Sequence, residues 1–208
     1  MDQPEKPKSK ASEEEFPPSV VFLGSSPDDE PLRKIGIYGN INEEYCAEIV
    51  YSLLSMGEKA RHTDELGVVS HLPLEIIIST HGGDATEMFA VYDVIRMVKE
   101  NCEVGTYGVG KVMSAGVLLL AAGTKGSRKI GKHCRVMLHS VASGHVGELH
   151  SLENELEEVQ HTQKQYVSAL AKETKMSVKQ IRKLLDKKIN VYFTADEAVK
   201  YGIADEVI

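Results

Sequence analysis

The chain has 208 residues, 42% hydrophobic and 26% charged, which suits one globular domain with appendages. A formal net charge of −7 weighs against general binding to nucleic acid or to anionic membranes. There is no run of about 18 apolar residues, so no membrane span is expected. No apolar secretory signal is visible at the N-terminus. Cys46, Cys102 and Cys134 are scattered, without a CxxC pair or a zinc spacing. They fit buried thiols in a reducing compartment, and no metal or cofactor site is expected.

Residues 1–19 are rich in Pro, Lys, Glu and Ser. Such a segment buries too little surface to offset its ordering entropy, so a disordered tail is expected. Val20 to Leu23 is a candidate edge strand, and Ser25 to Pro31 is turn-rich. Lys34 to Tyr38 reads as a strand. Asn42 then caps a helix whose apolar positions include Tyr45, Cys46, Ile49 and Leu53, and Gly57 stops it. Glu58 to Leu72 is polar and aperiodic, like a surface insertion.

Leu74 to Ile78 is a β-branched strand of the kind buried on both faces. Asp84 and Glu87 read as a capping box for a helix with Met88, Val91, Tyr92, Ile95 and Val98 inward. Cys102 to Tyr107 is a third strand, Ser114 to Ala122 a third helix, and Arg135 to Leu138 a fourth strand. Strand and helix alternate, which predicts an α/β fold with parallel strands.

Ser140 to Gly147 is rich in Ser and Gly without being charged. From Leu149, a seam through Leu152, Leu156, Val159, Gln163, Tyr166 and Leu170 follows steps of three and four. That stripe fits either a long surface helix or a projecting helix packed on another copy. Ser177 with Gln180, and Thr194 with Glu197, are capping boxes for two further helices. Asn190 to Phe193 is a short extended piece, Gly202 ends the last helix, and Ala204 to Ile208 is a final strand.

Three features fall at the C-terminal ends of strands, where open α/β sheets place their sites. Gly82-Gly83 lets a backbone approach a ligand closely before a helix begins. Ser114, beside the small Ala115 and Gly116, stands at a turn into a helix. It is either an ordinary N-cap or an acyl-transfer nucleophile with amide donors behind it. His139 directly follows a buried strand and is either a satisfied core histidine or a base. Together the three supply donor, nucleophile and base.

The stretches STHGGDATEMFAVYDVI, KVMSAGVLLLAAGTKGSR, RVMLHS and FTADEAVKYGIADEVI resemble, in order and spacing, the proteolytic subunit of the Clp protease, ClpP. The resemblance runs from about Arg33 to Ile208. It implies a ClpP/crotonase-like fold of repeated β-β-α units with a projecting handle helix at about 140–172. It implies an ATP-independent serine endopeptidase acting on unfolded polypeptides, with Ser114 as nucleophile and His139 as base. The amides of Gly83 and Ala115 would form the oxyanion hole. Gly82, Gly83, Asp84 and Ala85, with Ser140, Val141, Ala142 and Ser143, would be two edges that bind the substrate as an added strand. It further implies a double heptameric ring, docking of an AAA+ unfoldase, and the cytoplasm or an equivalent soluble compartment.

The chain departs from the family where the third triad member is expected. Asn190 stands at the aspartate position, and Asp186 matches an earlier aspartate. Residues 1–32 do not resemble the family's axial gate, and 58–72 is longer than the family's link. Two other readings follow. One is a weakly active or inactive structural subunit of a mixed ring, motivated by Asn190. The other is an acyl-CoA-processing enzyme on the same fold, which would have no use for a Ser–His pair.

Overall fold

The computed structural model describes residues 32–187 and 189–208. The tail at 1–19, the candidate strand at Val20 to Leu23 and the turns at Ser25 to Pro31 lie outside these residues. The described chain runs β1 (Lys34–Ile41), α1 (Glu43–Glu58), β2 (Arg61–Thr63), β3 (Val69–His71), β4 (Leu74–Gly83), α2 (Ala85–Val98), β5 (Val104–Met113) and α3 (Ala115–Ala121). It continues as β6 (Arg128–Ile130), β7 (Arg135–Leu138), α4 (Leu149–Glu173), α5 (Val178–Leu185), β8 (Val191–Phe193), α6 (Ala195–Tyr201) and β9 (Glu206–Val207).

The main sheet has seven strands, with β1, β4, β5, β6 and β9 in that order, all neighbours parallel. The long strand β5 forks. Thr106 to Gly108 pair with β6, and Lys111 to Met113 pair with β7, also in parallel. β8 closes that branch antiparallel to β7. The β-branched run of β4 is central, and Leu74, Ile76 and Ile78 are fully buried. Its helices are amphipathic at the expected positions: Tyr45, Cys46, Ile49 and Leu53 of α1, and Met88, Val91, Ile95 and Val98 of α2, are all in the core. Gly57 lets α1 come close to Val98 of α2, since a Cβ there would lie 3.0 Å from the valine methyl.

Several expectations change. β5 does not stop at Tyr107 but continues through two glycines to Met113. β6 is an added three-residue strand, too short to show a period. The segment 58–72 is not aperiodic coil but holds the β2–β3 hairpin. Its turn is held by Asp64, whose carboxylate accepts from the amides of Leu66 and Val68 at 2.9 and 2.8 Å. Both faces of that hairpin are solvated, so no alternation marks it. The Asp84–Glu87 capping box is only half formed. Asp84 accepts from Thr86 and Glu87, while the Asp84 amide donates to Ile41 O across the sheet. The boxes at Ser177 and Thr194 are complete.

The seam of α4 divides. Leu149 and Leu156 are 67% and 56% exposed, whereas Tyr166, Val167 and Leu170 lie in the core of this same chain. The helix is anchored at its C-terminal end. Tyr92 donates to the buried Glu173 carboxylate at 2.9 Å, and Arg128 donates to the Glu173 carbonyl at 2.7 Å. Arg128 is itself buried and paired with Asp205. That guanidinium holds the Asp205 carboxyl down at about 2. All three cysteines are buried and unpaired, and burial pushes the Cys46 and Cys134 thiols up to about 11. Among the described residues no helix is long and apolar enough to cross a membrane.

Candidate active site

The site is built by the branch of the sheet. Parallel pairing of Met113 with Met137 ends β5 and β7 side by side. The residues that follow each strand therefore emerge together, and the Ser114 amide donates to Met137 O at 2.8 Å. His139 Nε2 lies 2.7 Å from Ser114 Oγ. Ser114 stands at the N-cap position of α3 yet makes no side-chain capping bond. Its hydroxyl faces the histidine instead, so the ordinary N-cap reading does not hold.

Ser114 has φ 53° and ψ −120°, and is the one non-glycine residue with positive φ among those described. Such a conformation costs about 1–3 kcal/mol and persists only where the surroundings over-determine it. Here they do. Besides the amide bond to Met137, the Ser114 carbonyl accepts from Val117 N at 3.0 Å and from the Tyr166 hydroxyl at 2.9 Å. The turn projects Oγ away from α3 and toward the imidazole.

Gly82-Gly83 ends β4 beside this turn. Thr80, fully buried, donates its hydroxyl to Gly39 O at 2.6 Å and accepts from the Gly82 amide at 2.9 Å. This locks the bulge that brings the glycine pair to Ser114. A side chain on Gly83 would collide with the backbone of Ile41, so the glycine also lets β4 lie flush against β1 there. Ala115, as the first residue of α3, has an amide with no intrahelical acceptor.

One cleft of about 750 Å³ takes in Gly82, Gly83, Asp84, Ala85, Ser114, Ala115, His139, Ser140, Val141, Ala142 and Ser143. All the residues expected for nucleophile, base, amide donors and substrate edges are thus brought together. The 140–143 edge carries no strand in this structure. Its Val141 amide is already bound, donating to Gln163 Oε1 at 2.7 Å, and Ser143 Oγ donates to Glu155 at 2.7 Å.

Two candidates are not brought in. Asp186 ends α5 on the surface, and Asn190 precedes β8 with its side chain exposed. Among the described hydrogen bonds none joins either residue to His139. The β7–β8 register pairs Leu138 with Val191. Continued by one residue, it sets Asn190 opposite His139. The strand pairing itself ends at Leu138 and Val191.

Sequence reasoning missed the residues that hold this geometry, Thr80, Gln163 and Tyr166. A signal did exist for the last two. A tyrosine and a glutamine inside a leucine seam are polar groups that require partners when buried.

The comparisons with known proteins agree with the geometry. The family model described as Clp protease matches residues 31–208. The chain belongs to the Clp protease family. It is 33% identical over 189 residues to the ATP-dependent Clp protease proteolytic subunit 1 of Corynebacterium jeikeium, covering 91% of this chain and 86% of that protein. It is 34% identical over 189 residues to proteolytic subunit 4 of Rhodococcus jostii, covering 91% and 84%. A shorter match to proteolytic subunit 2 of Chlamydia trachomatis is 36% identical over 135 residues, covering 65% and 64%. This is a family of serine peptidases, and the Ser114–His139 pair is the chemistry such a peptidase requires.

Proposed function

We propose that this chain is the proteolytic subunit of a Clp-type protease, a serine endopeptidase acting on unfolded polypeptides. The observation that carries this reading is the 2.7 Å approach of His139 Nε2 to an uncapped Ser114 hydroxyl on a strained turn. Ser114 Oγ attacks the peptide carbonyl while His139 takes its proton. The oxyanion is received by the amides of Gly83 and Ala115. His139 returns the proton to the leaving amine, and an acyl-serine remains. Water, deprotonated by His139, then releases the second product and regenerates the serine. A peptide lies in the cleft between Gly82–Ala85 and Ser140–Ser143, read mainly through its backbone.

The third member of the site is Asn190, a reading supported by its position next to Val191, the partner of Leu138. The Asn190 amide carbonyl, on accepting from the imidazole, would fix the tautomer without adding charge. In the cell the chain assembles as a double heptameric ring in the cytoplasm and receives substrate from an AAA+ unfoldase. The exposed leucines of α4 supply an apolar face for the ring-to-ring contact.

A serine-reactive fluorophosphonate tests the chemistry. The wild type is labelled, and Ser114→Ala and His139→Ala are not; equal labelling of Ser114→Ala would end the proposal. The exposed Asn190 favours a second reading, a structural subunit of a mixed ring with little activity of its own. Turnover of peptide by a purified homo-oligomer, lost in Ser114→Ala, would exclude it. Nothing in the cleft favours an acyl-CoA enzyme, and the Ser–His pair argues against one.

A further inference from the structure

Helix α4 touches the cleft at two separate points. Gln163 and Tyr166 are three residues apart and share one face of the helix. Gln163 Oε1 accepts from the Val141 amide at 2.7 Å, on the wall formed by the segment after His139. Tyr166 donates its hydroxyl to the Ser114 carbonyl at 2.9 Å, at the turn that carries the serine hydroxyl. Tyr166 is 4% exposed, and burial raises its phenol well above the ordinary value, so it remains a donor throughout the working pH range.

Among the described hydrogen bonds, only two side chains bond Ser114, and these are His139 and Tyr166. One acts on the hydroxyl and the other on the strained backbone that aims the hydroxyl. The segment 139–147 has no regular secondary structure. The Gln163 bond is therefore one of few constraints on that wall, alongside Ser140 Oγ to Leu185 O, Ser143 Oγ to Glu155 and His145 Nε2 to Ser151 Oγ.

We propose that Tyr166 and Gln163 are positioning residues of the peptidase site, Tyr166 fixing the nucleophile turn and Gln163 fixing the substrate-side wall. This rests on Ser114 being the nucleophile. A turn held at φ 53° relaxes when a constraint is lost. A displacement of Oγ by about 1 Å from its attack position slows the reaction steeply. Loss of the Gln163 bond leaves Oγ in place and loosens the wall against which peptide lies. The two residues therefore predict different kinetic signatures.

The test uses the full-length assembled protein, a fluorophosphonate and a fluorogenic peptide. Tyr166→Phe removes one hydroxyl and keeps the ring. It is expected to lower both the labelling rate and kcat about tenfold, with KM within about twofold. Gln163→Leu is expected to raise KM about fivefold with the labelling rate unchanged. Gln163→Glu keeps an acceptor oxygen and is expected to restore KM. Tyr166→Phe with wild-type labelling and kcat would overturn the proposal while leaving the peptidase reading intact. So would losses in both variants that merely track the folded fraction seen by circular dichroism. A wild type that neither labels nor turns over peptide would overturn the peptidase reading and this inference together.

Discussion

A Cβ on Gly82 would stand 2.6 Å from the Cβ of Ser114 and 3.1 Å from the Ala115 amide nitrogen. The Ser114 side chain and the first amide of α3 are thus accessible only because position 82 has no side chain. Gly82 also lies at φ +99°, where an L residue is strained. Gly82→Ala is expected to slow fluorophosphonate labelling at least about a hundredfold and to destabilise the fold by about 1–3 kcal/mol. Labelling kinetics alongside thermal melts check both effects. Wild-type labelling in a fully folded variant would mean the close approach is not required.

Strain at Ser114 can be isolated by comparing two variants that both lack the hydroxyl. Ser114→Ala keeps the penalty of φ 53°, and Ser114→Gly removes most of it. The glycine variant is expected to be more stable than the alanine variant by about 1 kcal/mol, the reverse of the usual order for these residues. Denaturant unfolding decides it. An alanine variant of equal or higher stability would show that the turn carries little strain.

The position of Asn190 predicts asymmetric effects on catalysis. Asn190→Asp places a carboxylate opposite His139 in register and is expected to raise the labelling rate about tenfold, by stabilising the imidazolium. Asp186→Asn, on the exposed end of α5, is expected to stay within about twofold. A slow Asp186→Asn protein together with an indifferent Asn190→Asp protein would move the third member to Asp186.

The proposed double ring makes a prediction on α4. Leu149, Leu152 and Leu156 are exposed, while the lower half of the same seam is in the core. Leu152→Glu with Leu156→Glu is expected to halve the particle mass seen by sedimentation without unfolding the subunit. An unchanged particle would refute a contact between rings through these leucines. Leu170→Ala, by contrast, is expected to cost about 2–5 kcal/mol of fold stability, as for a buried leucine.

Acid stability depends on the Arg128–Asp205 pair. Asp205 is held at about 2, below its ordinary value of 3.8, chiefly by its hydrogen bond from Arg128. A carboxyl depressed in the folded state contributes stability above its unfolded value, and that contribution is lost as pH falls through the folded value. Stability should therefore decline from about pH 4 to about pH 2, and Asp205→Asn should remove that part of the decline. Chemical unfolding at pH 7, 4 and 2.5 measures it, and identical pH profiles for the two proteins would refute the assignment.

Most of the fold was legible because its signals are local. Helices α1 and α2 carry a 3.6-residue apolar period, β4 carries a β-branched run, and Ser177, Thr194 and Gly202 mark helix ends by their own chemistry. The hairpin at 61–71 was not legible, since a strand pair solvated on both faces shows no alternation. Nor was the second half of β5, where Gly108 and Gly110 look like a turn. The chain must pass close to Leu120 and Val112 there, and only packing reveals that need.

For the site, the sequence by itself determined the chemical inventory: a serine before a helix, a histidine after a strand, and a glycine pair, in the order of a known family. Residue types and spacing carry that much because strand ends are where such groups emerge. Tertiary structure alone decided what they do to one another. It set Oγ against Nε2, left Asn190 facing solvent, and turned Tyr166 from a member of an apolar seam into a ligand of the Ser114 carbonyl. Those outcomes depend on register and on non-local contacts between residues 25 and 52 positions apart. No local period in the chain encodes them.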